Sequence, residues 1–267
     1  MTTPLVVLGS INLDYTVVVD HWPAPGETVL ATTLATSIGG KGANQAVAAA
    51  RAGVRPVLLA AVGPDAGPLV EQLQLRDVDL GHLQHCTAPT GIALITVGPD
   101  GENSIVVAQG ANALLDDVAV AQHVRELDPD ILIAQLEVPV SAVLAAARIA
   151  RRFVLNYSPA LPVPDELLAL ADPLIVNETE AANLSVTPRS LVVTLGAAGA
   201  RFVDSDGEGH IHALPAPVVD TTGAGDAFAG ALAAALVTGA SLEDAVQAGV
   251  IAGATAVQSL GAQPAIL

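Results

Sequence analysis

Apolar and polar positions along the chain fall into two alternating patterns. Short runs of Val, Ile and Leu near 5–8, 57–61, 131–134, 153–156, 174–176 and 191–194 are almost continuously apolar, as strands buried on both faces must be. Between them lie longer, Ala-rich stretches with polar residues at helical spacing, which predict helices over 45–52, 68–76, 140–151, 224–237 and 242–258. The alternation implies an α/β fold, a mostly parallel sheet flanked by helices on both faces. Two stretches break the rhythm. Residues 28–38 and 91–107 have an alternating, β-rich character, and the second carries a hairpin signal at Pro99-Asp100-Gly101. They read as one small β-sheet lid, built from discontinuous segments at about 13–38 and 90–108 and inserted into a single domain over 1–267. No fixed-period repeat is visible.

Charge narrows the field. Asp and Glu number 27 against 10 Lys and Arg, a formal net charge of −17, so the chain has little with which to neutralise the phosphates of DNA or RNA. Nucleic acid is not an expected partner. Nor is a membrane: mean hydropathy is positive, yet no charge-free apolar run reaches the roughly 18 residues a span needs. Aromatic residues make up only 2%, which predicts a core of small, closely packed elements. Met1-Thr2-Thr3-Pro4 enters the first apolar run without a charged leader, and Cys86 has no second cysteine to pair with. A reducing, cytoplasmic setting is therefore expected. The one lysine, Lys41, stands inside Gly39-Gly40-Lys41-Gly42, the most glycine-rich short stretch.

Four stretches carry candidate chemistry. Asp220-Thr221-Thr222-Gly223-Ala224-Gly225-Asp226 precedes an apolar helix. Gly223 and Gly225 permit a tight turn that points the first N–H groups of that helix outward, an anion cradle suited to phosphate. Asp226, in the first helical turn, is placed to take a proton from a hydroxyl attacking that phosphate, although an acid there is also ordinary helix capping. No Gly-Lys-Ser/Thr follows, so this is not a P-loop. The second stretch sets Lys41 and Asn44 beside the backbone N–H groups around Gly40, Gly42 and Ala43. That suits a polyhydroxylated ligand, and a solvated lysine in a glycine-rich turn accounts for the same residues.

The third stretch, Asn177-Glu178-Thr179-Glu180, follows the run at 174–176, at the strand edge where α/β proteins bind ligands. Two carboxylates and an amide suit a hydrated Mg²⁺, and equally an N-cap with first-turn acids. The fourth, Asn12-Leu13-Asp14, offers Asp14 to a ligand's hydroxyls or to a plain turn. His82, His85 and Cys86 lack a second cluster at metal-ligand spacing, and His210 and His212 read as solvated on an exposed strand.

Together these stretches resemble the ribokinase-like (phosphofructokinase-B-type) carbohydrate kinase family. The resemblance runs from Leu5 to Pro264. It includes Gly9-Ser10-Ile11-Asn12-Leu13-Asp14, Pro25-Gly26-Glu27-Thr28, Gly39-Gly40-Lys41-Gly42-Ala43-Asn44-Gln45-Ala46, Gln135-Leu136-Glu137, Asn177-Glu178-Thr179-Glu180, Thr194-Leu195-Gly196, the 220–226 stretch and Gly261-Ala262-Gln263-Pro264, in family order. It implies ATP-dependent phosphorylation of the 5-hydroxyl of D-ribose to ribose 5-phosphate, with Asp226 as general base and Gly223, Ala224, Gly225 and Asp226 as the anion hole. Another sugar or nucleoside on the same scaffold, or a sugar-binding protein with impaired catalysis, are the alternatives.

The resemblance further implies that Asn12, Asp14, Gly40, Lys41, Gly42, Ala43, Asn44, Glu137 and Asp226 hold the sugar. Asn177, Glu180, Thr194, Gly196, Gly199, Gly225 and Asp226 match positions around ATP and its Mg²⁺. Asp220, Thr222, Ala256, Ser259 and Gly261 match the site of an activating K⁺ or other monovalent cation. The β layer matches a lid that pairs two subunits into a homodimer. Three local differences stand out. Only 13 residues, 178–190, separate two successive strands, where the family usually adds a helix; Val250 replaces a polar residue near adenine; and Ser259 and Ala265 replace an Arg and a Ser near the cation loop, where the usual terminal helix is also lacking.

Overall fold

The computed structural model describes residues 4–99, 101–259 and 261–263. Asp100 of the expected hairpin, and Pro264 and Ala265, lie outside them. Strands β1 (Leu5–Leu8), β2 (Asn12–Val18) and β3 (Thr33–Gly39) lead into helix α1 (Lys41–Arg51). There follow β4 (Val57–Leu59), β5 (Ala61–Val62), α2 (Gly67–Gln74), β6 (Gln84–His85), β7 (Gly91–Val97), β8 (Asn103–Ala108) and α3 (Asp117–Leu127). The chain continues through β9 (Ile131–Ala134), α4 (Val140–Ala147), β10 (Phe153–Asn156), α5 (Asp165–Leu170), β11 (Leu174–Asn177), α6 (Glu178–Ala181) and β12 (Leu191–Thr194). It closes with β13 (Ala200–Val203), β14 (Glu208–Ile211), α7 (Ala224–Val237) and α8 (Leu242–Ala256).

An eight-stranded sheet in the order β14-β13-β12-β11-β10-β9-β1-β4 forms the body. It is parallel from β4 to β12 and ends in the antiparallel hairpin of β13 and β14. The expected fold class is therefore the observed one. The all-apolar runs follow from this layering. Leu5 and Val7 of β1 enter the core on one face of the sheet with α1, α7 and α8, while Val6 and Leu8 enter the core on the other face with α3 and α4. With no solvated face to alternate against, each of these side chains is fully buried, worth roughly 1.5–3 kcal/mol apiece.

Helices α1 and α7 pack at unusually close range. A Cβ on Gly230 of α7 would collide with the carbonyl of Gln45 and the side chain of Ala48 in α1. That approach sets the N-terminal turn of α1 beside the N-terminal turn of α7 and so assembles the site. A second sheet, β3-β2-β7-β8, stands apart from the main one. Its edge strand β8 is exposed throughout, and Leu34, Leu94, Ile105, Val106 and Val107 are apolar side chains it shows to solvent.

Several boundaries differ from the sequence-based expectation. The β layer begins at Asn12, so Asn12 and Asp14 sit on a strand rather than in a turn. The run at 57–61 divides, because Ala61 and Val62 leave the main sheet to pair with β6. The exposed strand expected at His210 is β14, and α3, α5 and β13 are additional short elements that the sequence pattern did not mark. The 13-residue connection at 178–190 holds one short helix, α6, yet suffices for a parallel crossover. Among the described residues, no helix is long and apolar enough to cross a membrane.

Candidate active site

Strands β1, β9, β10, β11 and β12 run parallel, so the residues at their carboxyl ends emerge along one edge of the sheet. Residues 9–12 follow β1, and Gln135 and Glu137 follow β9. Asn156 ends β10, Asn177 and Glu180 lie at the end of β11, and Thr194 and Gly196 at the end of β12. The start of β2 and the N-terminal turns of α1 and α7 close over the same edge.

On one side, Asn12 and Asp14 of β2 face the sheet edge, 2% and 8% exposed. Asn12 is held by Asn112, whose Nδ2 donates to Asn12 Oδ1 at 2.8 Å and to the Ile11 carbonyl at 3.1 Å, while Asn112 Oδ1 accepts from Ile11 N at 3.1 Å. Asp14 Oδ1 is buried without a hydrogen-bond partner. Burial, reinforced by the charges of Glu137 and Asp226, pushes the Asp14 carboxyl up to about 7. Glu137 is engaged twice: its Oε2 accepts from Ser10 Oγ at 2.5 Å and from Lys41 N at 3.0 Å. Burial works against the Lys41 ammonium, but the fields of Asp226, Glu137 and Glu180 outweigh it and raise its pKa above the ordinary value.

Asp226 sits in the first turn of α7, 6% exposed. Gly223 caps that helix at φ 76°, a left-handed backbone that favours glycine, and a Cβ there would also strike Ala262. Both carboxylate oxygens of Asp226 accept amide hydrogens: Oδ2 from Asn44 Nδ2 and Oδ1 from Gln45 Nε2, each at 3.0 Å.

Two cavities adjoin this helix terminus, since Thr194 and Gly225 line both. The smaller, about 160 Å³, is polar and bounded by Lys41, Asn177, Glu180, Gly223 and Asp226. The larger, about 440 Å³, is bounded by Gly196, Gly199, the 213–216 segment, Ala224, Phe228 and Val250. Gly225 has open space where a Cβ would stand. Asn177 and Glu180 form a reciprocal capping box on α6, Glu180 N to Asn177 Oδ1 at 2.8 Å and Asn177 N to Glu180 Oε2 at 2.7 Å. The capping role is therefore real, and it leaves Glu180 facing the polar cavity.

Asp220 ties two loops together, accepting from Thr222 N at 2.9 Å and Gly261 N at 2.8 Å. Burial works to raise its carboxyl, but the hydrogen bonds from Thr222 and Gly261 prevail and hold it below the usual range. Ala256 and Ser259 line a third cavity of about 430 Å³ between α1, α7 and α8, which Asp220 and Thr222 do not reach.

Sequence reasoning assigned no role to Ser10, Asn112, Gln45, Gln135 or Gln263; Ser10, Asn112, Gln45 and Gln263 bond to candidate site residues, and Gln135 bonds to Gln45. A polar residue amid Ala and Leu, such as Asn112 in Gly110-Ala111-Asn112-Ala113-Leu114, is the one signal that marked it. His82 pairs with His123 instead, ring nitrogens 3.3 Å apart.

Comparison with known proteins fits this geometry. The family model for pfkB family carbohydrate kinases matches residues 2–267. Ribokinase of Haemophilus influenzae is 37% identical over the whole of this chain and 96% of its own length. A crystal structure of ribokinase from Thermotoga maritima superposes with a TM-score of 0.91 at 32% identity, covering 97% of this chain and 94% of that one. The structure of Arabidopsis thaliana ribokinase complexed with ribose and ATP superposes with a TM-score of 0.85 at 31% identity, covering 98% and 95%. Sequence motifs, fold and site geometry converge, and the chain belongs to the pfkB family of carbohydrate kinases.

Proposed function

We propose that this protein transfers the γ-phosphoryl group of ATP to the 5-hydroxyl of D-ribose. The observation that carries the reading is Asp226, a buried carboxylate in the first turn of α7, standing between an unpartnered Asp14 oxygen on one side and the two adjoining cavities on the other. The relatives named above are ribokinases, and one is complexed with ribose and ATP.

In this reading, Asn12, Asp14, Gly40, Lys41, Gly42, Ala43, Asn44 and Glu137 hold the sugar through its hydroxyls. Asp226 accepts the proton of the 5-hydroxyl as its oxygen bonds to the γ-phosphorus, the bond from that phosphorus to the bridging oxygen breaks, and ADP leaves. Backbone N–H groups of Gly223, Ala224, Gly225 and Asp226, with the positive end of α7, stabilise charge on the transferred group. The larger cavity has the volume and apolar walls for a purine, and Thr194, Gly196 and Gly199 border it.

Asn177 and Glu180 face the polar cavity and fit a Mg²⁺ held largely through water, which would neutralise phosphate charge. The backbone around Asp220, Thr222, Ala256, Ser259 and Gly261 is assigned to an activating K⁺ or other monovalent cation. The β3-β2-β7-β8 sheet is assigned as a lid that excludes water on closing and pairs with a second copy into a homodimer, a role its exposed Leu34, Ile105 and Val106 suit.

The test is ADP release with ATP, Mg²⁺ and a panel of ribose, deoxyribose, fructose and nucleosides, with and without K⁺. Turnover highest with ribose supports the reading; turnover confined to a nucleoside or to fructose overturns the sugar assignment. Ribose binding by calorimetry without ATP affinity would favour a sugar-binding protein instead.

A further inference from the structure

We propose that Gln45 and Gln135 are positioning residues for phosphoryl transfer, two amides in series that orient the Asp226 carboxylate; the inference rests on reading Asp226 as the base. Both glutamines are 0% exposed. Gln45 Nε2 donates to Asp226 Oδ1 at 3.0 Å, and Gln45 Oε1 accepts from Gln135 Nε2 at 2.5 Å. The second bond reinforces the sense of the first. A terminal amide presents a donor and an acceptor of nearly the same shape, and a half-turn of Gln45 would set its oxygen against the carboxylate. The Asp226 carboxylate, which only accepts, and the N–H of Gln135, which donates to Gln45 Oε1, together hold Gln45 in the donating sense. Asn44 is locked the same way on the other carboxylate oxygen, its Oδ1 accepting from Gln263 Nε2 at 2.8 Å.

Packing alone does not account for two glutamines here. Burying a primary amide is unfavourable unless its hydrogen bonds are made, and Gln135 Oε1 has no partner. A methionine would fill the same space between β9 and α1 without that cost. What the amides supply is direction: each N–H donated to a carboxylate favours its charged form, and each Asp226 oxygen keeps a second lone pair for the substrate proton. The charges around Asp226 are Asp14 on β2, Lys41 on α1 and Glu137 after β9, which acts on both of them, with Glu180 bordering the shared polar cavity. Replacing a neutral glutamine leaves that charge set intact, so a change in pH response reports the lost hydrogen bond.

The experiment compares wild type, Gln45→Met, Gln135→Met and the double variant in steady-state kinetics with ribose and ATP, from about pH 5.5 to about pH 9, alongside thermal melting. Gln45→Met is expected to lower kcat about 10–100-fold and Gln135→Met somewhat less, with ribose KM within about 3-fold of wild type. The acid limb of kcat should move up by up to about one pH unit. Because Gln135 acts through Gln45, the double variant should be no worse than Gln45→Met alone. An unmoved acid limb, or losses that multiply in the double variant, would overturn the relay. If Gln45→Met does not fold, Gln45→Leu tests the same link, since it too is neutral and lacks the donor, and it should move the acid limb in the same direction. Absence of wild-type turnover would overturn the kinase reading itself, whereas wild-type turnover with unchanged variants overturns the relay alone.

Discussion

Asn112 donates a 2.8 Å hydrogen bond to the side-chain oxygen of Asn12, across 100 residues of sequence, and thereby orients Asn12 at the head of the small sheet. Asn112 also satisfies both backbone groups of Ile11 at 3.1 Å, in a place 1% exposed. Asn112→Ala would leave Ile11 N–H and C=O buried without partners, costing about 2–4 kcal/mol, or roughly 5–15 °C of melting temperature in a domain of this size. Ribose KM should rise about 10-fold as Asn12 loses its orientation. Thermal melting and a ribose titration of the same sample check both.

Asp14 predicts opposite pH trends for stability and for binding. Its folded-state carboxyl is raised to about 7 from 3.8, so the folded protein binds this proton more tightly than the unfolded chain does. Stability from this group is therefore lost as pH rises between those two values, and the penalty is fully present above about 7, on the order of 4 kcal/mol. Asp14→Asn should raise the melting temperature at about pH 8 and change it little near pH 4. Ribose affinity should fall as pH drops below about 7, because a protonated Asp14 accepts hydroxyls less well, and the variant should lose that dependence.

Asp226→Asn keeps the shape of the base and removes its ability to take a proton. Turnover should fall about 10²–10⁴-fold while ribose still binds within about 10-fold of wild type. Coupled ADP release and calorimetry separate the two. A variant as active as wild type would remove Asp226 from the mechanism.

The larger cavity makes a prediction about the phosphoryl donor. Among the described residues that line it, Thr194 and Thr221 carry the polar side chains, and Val250 stands where a polar contact to adenine was conceivable. A pocket that reads its ligand by shape discriminates weakly between bases, so kcat/KM for GTP should lie within about 10-fold to 100-fold of that for ATP. Val250→Asn should widen the preference for ATP. A wild-type ratio far above that range would show that backbone groups select the base.

Val106 is 65% exposed on the edge strand β8. Val106→Lys should weaken pairing through the small sheet, shifting a dimer toward monomer in size-exclusion chromatography with light scattering. A wild-type monomer would overturn the homodimer assignment.

Much of this protein was legible before folding. Runs such as Leu5-Val6-Val7-Leu8 are apolar throughout because both faces of the strand are covered, so the parallel sheet follows from local pattern. Asp226 beside Gly223 and Gly225, and Lys41 among its glycines, could be picked out because a turn and the helix it opens are contiguous in sequence. The exposed strand that carries His210 was legible and is β14, whereas helix α3 and strand β13, short and with charged residues among their apolar ones, were not picked out.

What the chain determines by itself is therefore local: which segments are strands or helices, and which short motifs carry an acid, an amide or an anion cradle. What only the tertiary structure decides is which groups meet. Gln135 reaches Gln45, and through it Asp226, across 90 residues of chain, and Asn112 reaches Asn12 across 100. Burial then turns three nearby carboxylates into groups with different partners: Asp14 left open, Glu137 tied to Ser10 and Lys41, Asp226 clamped by amides. Hydrogen bonds and desolvation act over a few ångströms of space, and spacing along a sequence does not report that distance.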